Sequence, residues 1–84
     1  MDAIQFLGLA AGTITSITFL PQVIQIWKTK SAKDISIGML LLLLTGVSAW
    51  LIYGILVMDA AIIYTNSMVL TMGLIMLFFK FKFK

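Results

Sequence analysis

The chain has 84 residues, of which 62% are hydrophobic, and its mean hydropathy is +1.14. Six lysines and three aspartates are its charged side chains, and they give a net charge of +3. A soluble domain is about a quarter charged, and a chain this short cannot bury so much apolar surface in water. The composition therefore excludes a soluble globular domain and predicts an integral membrane protein.

The composition also excludes several kinds of catalytic and metal-binding site. The sequence contains no cysteine and no histidine, so disulfides, thiolate catalysis and a common metal ligand are excluded. It shows no serine–histidine pair, no metal-ligand cluster and no glycine-rich phosphate loop. We therefore expect no enzymatic activity, no cofactor, no bound metal and no nucleic-acid partner.

Three apolar segments follow one another along the chain. They cover about residues 3–27, 35–58 and 60–79, and a basic tail occupies residues 80–84. A bilayer core of about 30 Å needs about 20 helical residues, so each segment is long enough to span it. Continuous rather than alternating apolar sequence excludes a strand barrel. We predict one all-α domain over residues 1–84, a bundle of three transmembrane helices.

The first segment contains the only proline, in the stretch TFLPQVIQIWKTK. A proline inside a helix removes one backbone hydrogen bond, here to the carbonyl of Ile17, and costs about 3 kcal/mol. Broken helices are tolerated in membranes and recur near substrate paths in transporters. Pro21 and Gln22 therefore form either a static kink or a hinge. A hairpin between the first two helices would place Gln22 level with Met39.

The stretch SAKDIS, residues 31–36, is predicted to begin the second helix. Asp34 or Ser31 is placed to cap its free amides, and the Asp34 carboxylate suits the positive end of the helix dipole. We interpret the lysines of this loop as a solvated anchor, with lipid recognition as the alternative. The tail FKFKFK is predicted to be a frayed helix end whose lysines reach the lipid head groups.

Small and polar residues form a stripe on each helix, and in lipid such stripes mark packed faces. The stripe on the first helix contains Gly8, Gly12, Thr15, Phe19 and Gln22. The stripe on the second helix contains Met39, Leu43, Gly46, Trp50, Tyr53 and Val57. The third contains Asp59, Ile62, Asn66, Val69 and Gly73. The stretch GLAAG is also a GxxxG motif, which lets helix backbones approach closely. The stripes are interpreted either as contacts between helices or as the lining of a path.

Trp50 and Asn66 are predicted to lie at the same depth in the membrane. In a hairpin that turns near residues 58 and 59, positions whose numbers sum to about 117 are level, at about 1.5 Å of rise per residue. An asparagine facing hydrocarbon would leave its amide unsatisfied, so Asn66 must face protein, water or a ligand. An aromatic face beside an amide can hold a sugar by stacking and hydrogen bonding. A polar clasp between helices is the alternative.

The charged residues lie at the two ends of the predicted spans, and their placement predicts both orientation and mechanism. The lysines form two groups separated by two spans: Lys28, Lys30 and Lys33, then Lys80, Lys82 and Lys84. The positive-inside rule makes that side cytoplasmic, so the amino terminus lies outside and the carboxyl terminus inside. No lysine precedes Lys28, so we expect no cleaved signal peptide. Because no titratable side chain lies at mid-membrane, we expect passive movement rather than proton-driven transport.

Together these features resemble the bacterial SemiSWEET sugar transporters of the PQ-loop group. The resemblance rests on Pro-Gln late in the first helix, KDIS in the loop, GVSAWLIYGIL in the second helix and an early asparagine in the third. It implies helices packed in the order one, three, two, and a parallel 3+3 homodimer in the inner membrane. It also implies facilitative, uniport-type movement of a mono- or disaccharide by alternating access, with the sugar on the dimer axis.

The resemblance also assigns roles to residues of this chain. They are Trp50 and Asn66 for sugar binding, Pro21 with Gln22 for the hinge, Tyr53 and Asp59 for the outer gate, and Phe19 and Met39 for the inner gate. Relatives often carry arginine at the position of Val57, where it can pair with the following aspartate. Without that partner, the assignment of Asp59 to the outer gate is the weakest of these, and closure of the outer gate rests on the packing of Tyr53.

Two rival functions remain open at this stage. A holin-like pore-forming protein also has a few short spans and a basic tail, but it has no evident need for Pro-Gln or for a level tryptophan–asparagine pair. A small structural subunit of a larger complex would fail to fold without its partner, whereas a SemiSWEET-like chain is expected to be stable as a homodimer in detergent.

Overall fold

The computed structural model describes residues 2–83 of the chain as three helices. They are α1 (Ala3–Thr29), α2 (Ile37–Leu56) and α3 (Ala60–Phe83). Each helix is long and apolar enough to cross a membrane. The predicted all-α, three-helix membrane class is therefore confirmed. Lys84, which the sequence places in the basic tail, lies outside the described residues.

The third helix lies between the other two. α1 packs on α3 and α2 packs on α3, whereas within residues 2–83 α1 and α2 make no backbone approach to each other. The spatial order is therefore one, three, two, as the resemblance implies. The two helices that are adjacent along the chain are separated in space, so the loop between them must cross α3.

A close approach of backbones joins α1 to α3. A Cβ atom on Gly12 would overlap the side chain of Thr65, and one on Gly8 would lie 3.2 Å from the Cβ of Ala61. Ser16, one turn further along α1, is fully buried. The GxxxG motif therefore packs α1 against α3 within one protomer, as small residues do between membrane helices.

Glycines also set the distance between α2 and α3. A Cβ on Gly54 would lie 2.6 Å from Ile62 Cγ2, and one on Gly73 would lie 2.8 Å from Leu44 Cδ2. The numbers in these two contacting pairs sum to 116 and 117. The antiparallel register predicted from the hairpin is therefore the register of the structure.

The start of α2 differs from the prediction. Its N-cap is Ser36, whose hydroxyl accepts a hydrogen bond from the Met39 amide at 3.2 Å. Asp34 and Ser31 do not cap this helix. The reason is that Ala32 is buried in the core, and the chain turns there before the helix can begin. The Ser31 hydroxyl instead accepts from the Lys33 amide, at 3.5 Å.

The end of α3 also differs, because the helix continues to Phe83 rather than fraying after residue 79. Phe79 and Phe83 pack against a buried cluster at this end of the bundle. The ammonium of Lys80 donates a hydrogen bond to the Ala32 carbonyl at 2.8 Å. Packing and this bond hold a segment that the sequence pattern alone assigned to the lipid interface.

The close approach at Gly12 predicts a sharp difference between two glycine variants. Gly12→Ala must separate α1 from α3 or displace Thr65, and overpacking of this kind costs roughly 1–3 kcal/mol. Gly38→Ala is the matched control, because a Cβ there meets only the Ser36 hydroxyl oxygen, at 3.6 Å, which is an ordinary contact. Thermal unfolding in detergent should show a lower midpoint for Gly12→Ala than for Gly38→Ala. Equal midpoints would contradict the close approach.

Candidate functional site

One face of α2 is left uncovered within the protomer. Trp50 is 57% exposed, Tyr53 50% and Met39 72%. These side chains belong to the stripe predicted from the sequence. An adjacent face, roughly 90° around the helix, packs inward through the buried residues Leu40, Val47 and Gly54. The exposed members of the stripe, Met39, Trp50 and Tyr53, are therefore available to a ligand or a second copy, whereas Leu43 of the same stripe lies near Gly73 of α3.

Two aromatic rings organise the outer half of this face. The Trp50 and Tyr53 centroids are 5.5 Å apart and the rings are nearly perpendicular, at 89°. An edge-to-face pair is a favoured arrangement, and it restrains both rings. The broad apolar surface of the indole therefore has a restrained orientation on an exposed face, which suits stacking against the C–H surface of a ring-shaped ligand.

Asn66 lies half-buried on α3, and its amide nitrogen donates to the Ile62 carbonyl of the same helix at 2.9 Å. This hydrogen bond runs along α3 rather than across to α1 or α2. The polar-clasp interpretation requires a bond between helices, and none of the hydrogen bonds of residues 2–83 made by this side chain is of that kind. Asn66 is thus held in orientation without being used to join helices.

The register between α2 and α3 places Trp50 and Asn66 at the same depth. Their numbers sum to 116, and the contacting pairs Gly54–Ile62 and Leu44–Gly73 bracket them on either side. The structure therefore brings the two predicted binding residues to one level on adjacent helices.

The structure also identifies the part of α1 at this level, which sequence reasoning missed. Contacting residues of α1 and α3 differ by 53 in number, both at Gly8–Ala61 and at Gly12–Thr65. Thr13 is therefore level with Asn66. Its hydroxyl donates to the Leu9 carbonyl at 2.7 Å, and its side chain is half-buried. The GxxxG motif was a signal for this contact, but it does not say which helix the glycines meet.

Pro21 lies eight residues further along α1 than Thr13, or about 12 Å deeper at 1.5 Å per residue. The helix continues through the proline to Thr29. Several side-chain hydroxyls before the proline donate hydrogen bonds to the backbone carbonyl four residues earlier. These are the hydroxyls of Thr13, Thr15, Ser16 and Thr18. Such bonds weaken and bend helices. The segment from residue 13 to residue 21 therefore combines two features that weaken a helix.

At the outer end, the Asp59 carboxylate accepts a hydrogen bond from the Ile62 amide at 3.1 Å. It therefore caps the first turn of α3, the helix that carries Asn66. Val57 ends α2, and Met58 turns the chain with a positive φ of 56°. Asp59 has a structural task in this chain that needs no basic partner.

At the inner end, the structure does not bring Phe19 and Met39 together within a protomer. Phe19 packs against the buried cluster, whereas Met39 is exposed. The helix registers place Gln22 level with residues 41–42 of α2, and not with Met39 as the hairpin rule predicted. The rule fails because α1 and α2 do not form a hairpin: α3 lies between them.

Comparison with known proteins gives a consistent family relationship. Residues 3–60 match the family model of the PQ-loop repeat. The chain is 43% identical over 70 residues to the sugar transporter SemiSWEET of Bradyrhizobium diazoefficiens, covering 83% of this chain and 81% of that protein. It is 39% identical over 74 residues to the sugar transporter SemiSWEET of Leptospira biflexa, covering 88% and 87%.

A solved structure agrees with these matches. The fold superimposes on the crystal structure of a bacterial homologue of SWEET transporters with a TM-score of 0.93 and 32% identity. The match covers 99% of this chain and 100% of the other.

The hydrogen bond between Asp59 and the Ile62 amide predicts that two substitutions of Asp59 differ in their effect on stability. Asp59→Ala removes the cap and should lower the stability of the detergent-solubilised protein by about 1 kcal/mol. Asp59→Asn keeps a side-chain oxygen and should unfold near the parent's midpoint. A loss of stability in Asp59→Asn as large as in Asp59→Ala would show that the charge matters, rather than the cap.

Proposed function

Because the chain belongs to the SemiSWEET group of the PQ-loop family, we propose that it moves a sugar across a membrane. The finer proposal is facilitative, uniport-type transport of a mono- or disaccharide by alternating access. The observation that carries it is the exposed Trp50 ring, level with Asn66, on a face that the protomer leaves uncovered. A pore-forming protein has no evident use for this arrangement.

Binding is proposed to need two copies of the chain. One protomer supplies one indole and one amide, on a surface open to one side. A parallel two-fold homodimer would place a second indole and amide opposite the first and enclose the sugar on its axis. Stacking on the indoles would hold the C–H surfaces of the sugar, and the amides would bond to its hydroxyls.

The conformational part of the proposal uses Pro21 as the hinge, with Gln22 beside it. The outer half of α1 approaches α3 closely at Gly12, and the inner half, which packs through Ile26, is proposed to be the part that swings. Tyr53, on the same face as Trp50, is proposed to close the outer side with Asp59. Phe19 and Met39 are proposed for the inner gate, which would require contacts between the two copies.

The absence of charge along the spans supports passive transport. The three aspartates, Asp2, Asp34 and Asp59, lie outside the helices. The lysines of the described residues lie in the last turn of α1, in the loop that follows it and in the last turns of α3. Proton-coupled carriers usually place a titratable group on the pathway. The same lysine distribution supports an outside amino terminus, a cytoplasmic carboxyl terminus and an inner-membrane location.

The binding proposal predicts that Trp50→Ala and Asn66→Ala each abolish or severely reduce sugar uptake into proteoliposomes. Each substitution removes a contact twice, once from each copy around one pocket. Trp27→Ala is the matched control, because Trp27 lies at the inner end beside Lys30. It should keep near-parental uptake, and all three variants should insert normally. Normal uptake by both pocket variants would contradict the site.

The mechanism predicts that uptake does not require a proton gradient. Sugar should equilibrate across proteoliposome membranes at the same rate with and without a protonophore, because within residues 2–83 no aspartate lies in the helices and the lysines lie only at their inner ends. Accumulation above equilibrium that collapses when the protonophore is added would contradict passive transport.

The hinge predicts a dissociation between binding and rate in Pro21→Ala. The substitution restores a backbone hydrogen bond, which should stabilise the helix but must be strained each time its inner half swings. Sugar affinity should stay near the parent value, because the pocket lies about 12 Å away, while the uptake rate falls clearly. Unchanged uptake in a folded Pro21→Ala variant would leave only the static kink.

A further inference from the structure

The inner ends of the helices are joined by one hydrogen bond between distant parts of the chain. The Lys80 ammonium donates to the Ala32 carbonyl at 2.8 Å, across 48 positions of sequence. Every other side-chain hydrogen bond found in residues 2–83 spans four positions or fewer. Lys80 is therefore the side chain that ties the α1–α2 loop to α3 by a hydrogen bond.

The residue that receives this bond lies in a buried cluster to which all three helices contribute. Ala32 is 2% exposed and belongs to a buried cluster with Ile26 of α1, Leu40 of α2 and Met76 of α3. Its carbonyl also accepts from the Ile35 amide at 3.1 Å, which forms the turn before α2. A restraint on this one carbonyl therefore acts on the ends of both helices that the loop connects.

The placement of Lys80 is unusual for a lysine at the end of a membrane helix. Such lysines normally extend to water or lipid head groups. Lys80 instead is half-buried and donates to a backbone carbonyl, and a hydrogen bond from a charged donor is stronger than a neutral one. Lys82 is different, because its ammonium lies over Phe78 and Phe83, two rings of its own helix.

The tie lies on the side of Pro21 that is proposed to move. Outward of the proline, α1 is fixed to α3 by the Gly12–Thr65 approach. Inward of it, the chain leads through Ile26 to the loop, where the Lys80 bond is found. The inner end of α1 is therefore held by the packing of Ile26 and, through the loop, by a bond that is separate from the hinge.

We infer that Lys80 is a positioning residue of the transport cycle. Its ammonium holds the α1–α2 loop on α3, and the inner half of α1 swings only when this bond is released. The inference rests on the proposed hinge and on sugar transport. Removing the bond should loosen the loop and ease the swing, without changing the Trp50–Asn66 pocket.

The first test measures the loop directly. The chain contains no cysteine, so Ala32→Cys introduces a single thiol at a buried position. We expect Lys80→Met to raise its labelling rate by a hydrophilic thiol reagent roughly tenfold, the size expected for losing a hydrogen bond to a charged group. Lys82→Met is the matched control and should leave the rate unchanged. An equal rise in both variants, or none in Lys80→Met, would overturn the inference.

A second measurement covers the case in which Ala32→Cys fails to fold. Hydrogen exchange can be followed in the cysteine-free chain at the Ile35 amide, which bonds to the same carbonyl. Protection there should fall in Lys80→Met and remain in Lys82→Met. Protection that is unchanged in Lys80→Met would likewise overturn the inference.

Uptake kinetics separate a role in the cycle from a purely structural one. Lys80→Met should raise the maximal uptake rate about twofold or more, because the swing limits the cycle, while the half-saturating sugar concentration stays the same. Lys80→Arg keeps a charged donor and should restore the parental rate. An unchanged maximal rate alongside a loosened loop would overturn the role in transport. If the parent moves no sugar but the loop loosens as expected, the proposed function fails while the tie stands.

Discussion

The central constraint in this fold is the close approach of both α1 and α2 to α3, without a backbone approach between α1 and α2 themselves within residues 2–83. Gly12 and Gly54 permit these approaches, because a Cβ at either position would collide with a side chain of α3. In lipid, helices gain little from the hydrophobic effect, so such close packing is the main source of cohesion. With α3 in the middle, the face of α2 that carries Trp50 and Tyr53 has no neighbour within the chain. The candidate site is a consequence of the packing order.

The same packing divides α1 into two mechanically different parts. Its outer part is held on α3 at Gly12 and by the buried Ser16. Hydroxyl bonds to the backbone begin within this region at Thr13, and with Pro21 further along they weaken the helix. The inner part ends at a loop whose Ala32 is buried and hydrogen-bonded to Lys80. This arrangement supports the proposed hinge at Pro21.

The features that depend on local sequence were predictable, and those that depend on which helices meet were not. The three spans and the level pairing of Trp50 with Asn66 follow from hydropathy and from a tight turn, and the structure has that register. The prediction that Gln22 lies level with Met39 was wrong, because it assumed that α1 and α2 form a hairpin. The cap at Ser36 was missed because burial of Ala32 delays the helix. The bond from Lys80 to Ala32 joins residues 48 apart, and no local pattern signals it.

One chain is proposed to present half of the sugar site, which a second copy completes. The most direct test uses single cysteines in this cysteine-free chain, with a short bifunctional thiol reagent applied to membranes. Tyr53→Cys, on the uncovered face of α2, should cross-link efficiently to its own copy across the two-fold axis. Ile14→Cys is similarly exposed but lies nearly opposite Gly12 around α1, and should remain monomeric. Efficient cross-linking at Ile14 and none at Tyr53 would contradict the shared site.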